Sequence, residues 1–356
     1  MTAAHFRQAR TIASLELRRV FFSRRSFWVY FLALFPSVIF IGHGIESKVR
    51  QQNWSNRITP AETLASIHEG QRDTEVLQIA PGPIQDNEWH RHRRGEDNEP
   101  TRRYMMYFDG KRRVHLNFSD GILTEKRTSA LLNFEDDREV FAGVFQFFYL
   151  RLAIFFGCLG IFMNLFRGEM LDKTLHYWLL APARREVLLA GKYLAGLAAA
   201  AVIFAGGTVL CFLAMLWPQD PAELTAYWNS VGPMHMFRYA SVAMLGCVGY
   251  GSAFLAAGLL LRNPIIPAVV LLLWEGINGF LPTILQKFSI IYYLQSLSPV
   301  PPPMDPEMPS LVRLLLAPAE PASAPVAVFG LFAVTGLVLW TASRAVRRLE
   351  INYSTD

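Results

Sequence analysis

Eight polar side chains carry whatever chemistry this sequence can do, and they fall into two groups. Glu169, Asp172, His176, Arg184 and Arg185 stand in a short charged segment between two apolar runs, whereas Arg151, Glu275 and Asn278 stand inside apolar runs. Two carboxylates and an imidazole at 169, 172 and 176 share one helix face, a spacing that could in principle hold a metal for hydrolysis. Every other candidate ligand is remote in sequence, and the apolar runs offer no nucleophile–base pair, so no enzyme chemistry is expected. Polar docking of a partner is the other chemistry open to this set. Glu275 lies ten residues into the run 265–285. A carboxylate at such depth costs about 2.5–3.5 kcal/mol on insertion scales, and such groups face a cavity or a partner. Asn278, three residues on, shares its face. A substrate pathway and a structural carboxyl both remain open for this pair. Arg151, near the outer end of its run, is expected to snorkel to the interface. His90 and His92 have no third ligand nearby. Cys158, Cys211 and Cys247 all lie inside apolar runs, which leaves neither a disulfide framework nor zinc spacing.

The elements that position these groups follow from composition. Hydrophobic residues make up 52% of 356, and the charges collect in clusters between six runs near the ~20 residues that cross a bilayer. The runs are Phe27–Ile45, Phe147–Phe166, Tyr193–Trp217, Tyr239–Leu261, Ile265–Leu285 and Ala324–Ala342. Helices are the economical spanning form, because the bilayer core offers no water to backbone amides. The expected fold is therefore an all-α polytopic membrane protein with six transmembrane helices. Short basic segments set the orientation: the arm 1–26, the loop 167–192, Arg262-Asn263-Pro264 and the tail 343–356 carry the arginines. Facing segments are poor in base, so both termini are expected in the cytoplasm. The net charge of +5 is thus a topology signal. Nucleic acid is not an expected partner, since most short-loop basic residues hug the membrane.

Two further pieces complete the layout. In the arm, Phe6, Ala9, Ala13, Leu17 and Val20 recur at helical steps with arginines around them, which predicts an amphipathic helix lying on the membrane interface. Residues 46–139 form a small mixed α+β extracytoplasmic domain with 15 Lys/Arg against 17 Asp/Glu, so neither sign dominates it. Thr59-Pro60-Ala61-Glu62 predicts a helix start, residues 85–103 read as a flexible polar loop, and Asp109-Gly110 predicts a hairpin between Tyr104–Phe108 and Lys111–Phe118. Spans two to six are expected within 140–166, 193–217, 239–261, 265–285 and 324–342. The outer loop 286–323 is proline-rich, with a short helix at Ser310–Leu316. Small residues four apart (Ala243, Cys247, Gly251; Gly196, Ala200) predict close helix packing.

The segment 167–192, RGEMLDKTLHYWLLAPARREVLLAGK, joins spans two and three. Leu171, Leu175 and Leu179 make one apolar stripe, which predicts a helix from Gly168 to Leu180; Pro182 stops it and Arg184-Arg185-Glu186 opens the next helix. The R-G-E start, the short helix, the L-x-A-P break and the R-R-E-x-L-x-x-K run resemble the permease subunits of type-2 ABC exporters, over residues 167–196. The resemblance implies that this loop is a coupling helix docking on a separate ATPase subunit, with Glu169, Asp172, His176, Arg184 and Arg185 as candidate contacts. It further implies a second permease copy, an exported substrate, surrounding lipid, and residence in a bacterial inner (plasma) membrane. This chain has no G-x-x-x-x-G-K-[ST] segment. ATP and Mg would then sit on the partner, and the chain itself would hold no cofactor. Residues 46–139 have no counterpart in the family's compact members. A membrane sensor built on that segment is the rival reading, and an integral membrane enzyme the third.

Overall fold

The computed structural model describes residues 3–22, 27–89, 101–171, 178, 180, 184–261, 265–301 and 321–347. It is mostly helical, with a small antiparallel sheet early in the chain. Two compact units divide it: residues Met1–Phe40, Arg138–Leu216 and Pro221–Asp356, and residues Ile41–Asp137 with Trp217–Asp220.

Among the described residues, five helical stretches are long and apolar enough to cross a membrane: Phe27–Arg57, Phe134–Met170, Arg185–Leu216, Gly232–Leu260 and Ala324–Arg347. By this length and composition the chain is a multi-pass integral membrane protein. The first unit opens with α1 (Ala3–Phe22) and the start of α2 (Phe27–Trp54). The stretch from Phe134 is α5 (Phe134–Val144), a π-helical turn at Phe145–Ala153, and α6 (Ile154–Leu171). After it come α7 (Arg185–Leu216), α8 (Pro221–Ser230) and α9 (Gly232–Leu260). All the long helices outrun the apolar segments that signal them.

One expectation fails here. The run 265–285 is not a sixth spanning helix. α10 covers Ile265–Gly276, a length of about 18 Å, well short of a ~30 Å hydrocarbon core. Beyond it the chain makes a 3-10 turn at Asn278–Phe280, then α11 (Thr283–Gln286) and α12 (Ile290–Leu297). The break has local causes: Gly276 and Gly279 are poor helix formers, and Pro282 forces Leu281 into an extended conformation (ψ 149°). α13 (Ala324–Arg347) closes the described chain. The expected helix at Ser310–Leu316 lies outside the described residues.

Packing in this unit relies on small residues, as the spacing predicts. A Cβ on Gly196 or on Gly251 would fall 2.7 Å or 2.5 Å from the ring of Phe162, so that ring fills a slot between α7 and α9. Gly207 lets α7 approach α2 so closely that a Cβ there would meet Ala33 O at 2.7 Å. Tyr149 seals the same spot, its hydroxyl shared between Ala33 O (2.8 Å) and Gly207 O (3.1 Å).

The second unit holds the sheet β1 (Gln85–Trp89), β2 (Arg102–Phe108), β3 (Arg112–Ser119) and β4 (Ile122–Ala130), antiparallel in sequence order. The expected β2–β3 hairpin forms, with Gly110 at φ +100° and Asp109 Oδ1 accepting from Lys111 N at 2.8 Å. Met105, Tyr107, Val114, Leu116, Phe118 and Leu123 make the buried face. α3 (Ala61–Ala65) and α4 (Asp73–Ile79) cover it through Leu64 and Val76. The helix start at Ala61 is as expected, with Pro60 rather than Thr59 in the N-cap position. Residues 85–89 correct the polar-loop reading: they are an edge strand with all five side chains exposed, held by backbone pairing to β2. An edge strand with no buried face leaves no hydrophobic alternation to read.

Candidate coupling site

The joint between α1, α6 and α7 holds the densest buried charge in the first unit. Gly191 on α7 creates it. A Cβ at that position would lie 2.8 Å from Ile12 Cγ2 and 3.0 Å from Ala9 O, so glycine alone lets α1 lie against α7. The next residue, Lys192, then points its ammonium between helices. Its Nζ is 2.5 Å from Glu16 Oε1 and 2.8 Å from Glu169 Oε1. Arg19, one turn beyond Glu16, donates to Glu169 Oε1 at 3.1 Å. Lys192, Glu169 and Glu16 are 0%, 1% and 3% exposed, so these charges are held by one another and not by water. Two acids and two bases leave the cluster neutral, the condition under which buried ions are tolerable. Lys192 Nζ also faces the rings of Phe166 (5.5 Å) and Trp178 (5.2 Å), and Trp178 belongs to the 167–192 loop.

This arrangement changes the reading of α1 and of Glu169. The buried stripe on α1 is Ala9, Ile12, Glu16 and Val20, while Phe6 is 66% exposed, so the face is rotated from the expected one and has an acid in its middle. Glu169 does not begin a new helix on a solvated face: α6 runs unbroken through Leu171, and the carboxylate turns inward to Lys192. The span-long helix simply continues, because nothing between Phe166 and Leu171 stops it.

Arg184 and Arg185 lie at the start of α7. Arg184 is exposed, and its carbonyl accepts the first helical amides, Val187 N at 2.9 Å and Leu188 N at 3.1 Å. Arg185 Nη1 donates to Arg347 O at 3.1 Å, at the end of α13, where orphan carbonyls favour a cation. Glu186 pairs with Arg347. The segment that emerges from the loop is therefore fastened on two sides. Asp172 and His176 lie outside the described residues.

Glu275 has a different setting. Its carboxylate accepts from Ile290 N (3.0 Å), Ile291 N (2.8 Å), Ser289 Oγ (2.8 Å) and Tyr250 Oη (3.3 Å). Four donors match the four acceptor positions of a carboxylate. Two of them are the first amides of α12, so Glu275 serves as an N-cap supplied by another helix. Asn278 does not share its helix face, because α10 ends at Gly276; it is buried in the 3-10 turn. Arg151 stands in the π-helical turn, half-buried, with its guanidinium 6.0 Å from the Phe147 ring. Its charge reaches Glu275 and Tyr250, yet among the described residues it forms no ion pair with Glu275. The three residues thus do not form one constellation.

No group of three or more His, Cys, Asp or Glu among the described residues could hold a metal. No family model matches the chain, and no curated protein does.

Proposed function

We propose that this chain is the membrane-spanning subunit of an ATP-driven exporter of the type-2 ABC kind, moved by a separate ATPase subunit. The observation that carries the reading is the buried Glu16–Lys192–Glu169 cluster with Arg19. It joins the amino-terminal helix, the end of one membrane-length helix and the start of the next, on both sides of the loop that resembles a coupling helix. A lever works only if its fulcrum is stiff. Charges buried in mutual contact resist separation, since an uncompensated buried charge costs about 3–5 kcal/mol. A push on the loop would then move α6 and α7 together instead of fraying their ends. The clasp of Arg185 and Glu186 on the end of α13 would carry the same push to the last helix.

On this reading ATP and Mg bind the partner, two permease copies form the pathway, and the loop side is cytoplasmic. Arg184 is the exposed cation at the loop's end that could meet the ATPase, whereas Glu169 serves the fulcrum. The test is copurification with the ATPase encoded nearest this gene. Arg184→Glu should lower recovery of that ATPase. Glu169→Gln should leave recovery intact but uncouple ATP hydrolysis from transport. Wild-type protein that retains no nucleotide-binding subunit, even after crosslinking in membranes, would rule the reading out.

A further inference from the structure

The second face of the β-sheet, opposite its apolar core, is a built polar groove of about 420 Å³, lined by Tyr104, Arg113, His115, Asn117, Glu125, Arg127 and Ser129. A β-bulge creates it. Phe118 pairs with Leu123 but Asn117 pairs with Glu125, so Thr124 is an extra residue in β4. That insertion shifts the phase of β4, and Glu125, Arg127 and Ser129 join Asn117, His115 and Arg113 on one face. The registers Asn117↔Glu125, His115↔Arg127 and Arg113↔Ser129 make Arg113 and Arg127 diagonal neighbours, about 7–8 Å apart at the backbone. Two guanidiniums on long stems can converge on one point from there.

Three of the lining side chains, Tyr104, His115 and Ser129, form one hydrogen-bonded chain. Tyr104 Oη and His115 Nδ1 are 2.5 Å apart, and His115 Nε2 and Ser129 Oγ 3.1 Å. Burial and the two arginines hold the imidazole below its ordinary pKa, which favours the neutral form with its one N–H. If that proton is on Nε2, Tyr104 donates to Nδ1 and the Ser129 hydrogen is left over. If it is on Nδ1, Ser129 donates to Nε2 and the Tyr104 hydrogen is left over. Either way one hydroxyl hydrogen has no acceptor in this chain of contacts among the described residues. Arg113 Nε is buried with no acceptor among the described residues, while its Nη2 reaches only Ala130 O at 3.4 Å. The groove's one carboxylate, Glu125, accepts from Asn117 Nδ2 at 2.9 Å. Neither Arg113 nor Arg127 has an ion pair among the described residues. The buried unfilled atom in the groove, among the described residues, is a donor, Arg113 Nε, and the charges of Arg113, Arg127 and Glu125 sum to one excess positive.

We propose that this face of the sheet binds a phosphate-class oxyanion, held by Arg113 and Arg127 with the free hydroxyl hydrogen of the Tyr104–His115–Ser129 chain. An anion there supplies an acceptor to Arg113 Nε and relieves the repulsion between the two guanidiniums, which Glu125 offsets only in part. The inference rests on the sheet alone and is independent of the export reading.

The full-length protein in detergent, titrated calorimetrically with inorganic phosphate, should show saturable binding. Arg127→Gln and Arg113→Gln should each weaken it about ten- to hundredfold, the loss of one charged hydrogen bond; Ser129→Ala should weaken it less, and Arg57→Gln, outside the groove, not at all. Arg127 is exposed, so its replacement leaves the fold intact, and matching melting curves verify this. Monomeric dihexanoyl-phosphatidylglycerol separates the two sources of the anion. Competition at least tenfold stronger than that of phosphate identifies a lipid headgroup, and weaker competition identifies a free phosphate compound. Absence of saturable phosphate binding by the wild type, or equal binding by both arginine variants, overturns the proposal.

Discussion

Lys192 shows how much one side chain can be asked to hold. Its ammonium serves two carboxylates at once, with no solvent contact. Lys192→Met should therefore destabilise the solubilised protein by about 3–5 kcal/mol, because two buried carboxylates, Glu16 and Glu169, are left with only Arg19 to offset them. The triple change Lys192→Met with Glu16→Leu and Glu169→Leu should recover most of that loss, as a thermal-melting series would reveal. Failure of the triple variant to recover would mean that the ions are not what the joint depends on. For Glu275, substitution by Gln replaces an acceptor with an NH2 group facing the amides of α12, at a cost of about 1–3 kcal/mol by the same assay. A change in transport without any loss of stability would instead favour a pathway role for Glu275. His115 supplies the pH dependence. Its pKa is lowered in the folded sheet by burial first, then by Arg113 and Arg127. The folded state thus binds its proton less readily than the unfolded chain does. Stability from this site is present above the ordinary value of 6.5 and is lost as pH falls below it. Hydrogen-exchange protection factors at β3 and β4, corrected for the intrinsic slowing of exchange in acid, should fall from pH 7 to pH 5 in the wild type, and much less in His115→Gln.

At the scale of elements, contact distances decide what periodicity leaves open. The heptad-like spacing in the arm correctly signals a helix with an apolar face, but no local rule places an acid such as Glu16 inside that face. Its partner is 176 residues away. Gly191 is legible only afterwards, as the position where a side chain would collide with Ile12 and the Ala9 carbonyl. Gly191→Val should lift α1 from α7 and expose the arm to limited proteolysis, while α7 itself stays inserted; an arm as resistant as in wild type would count against that contact. Deleting Thr124 is a sharper test of the sheet. Removal of the bulge residue turns Glu125, Arg127 and Ser129 toward the core, so the second unit should fail to fold where Thr124→Ser does not. The Asp120-Gly121 pair, both at positive φ, closes the β3–β4 hairpin as tightly as Asp109-Gly110 suggests for its neighbour. That signal was present in the sequence, and the strand after it lacks alternation because its residues from Thr124 to Ser129 are polar on both faces.

Over the whole molecule, hydropathy reports membrane-length helices reliably because the bilayer sets a length and a composition at once. It does not report where a helix ends. α10 stops after twelve residues because glycine and proline follow it. Glu275, on reaching the amides of α12, caps that helix across the break. The membrane class, the early sheet-bearing segment and the charged segment between two long apolar runs are all determined by the amino-acid sequence, since each is a matter of local composition and spacing. What the tertiary structure alone decided is the inward turn of Glu169, the capping role of Glu275 and the donor-rich face of the sheet. Each depends on groups 8 to 176 residues apart meeting across an interface, and distance along the chain carries no record of such meetings.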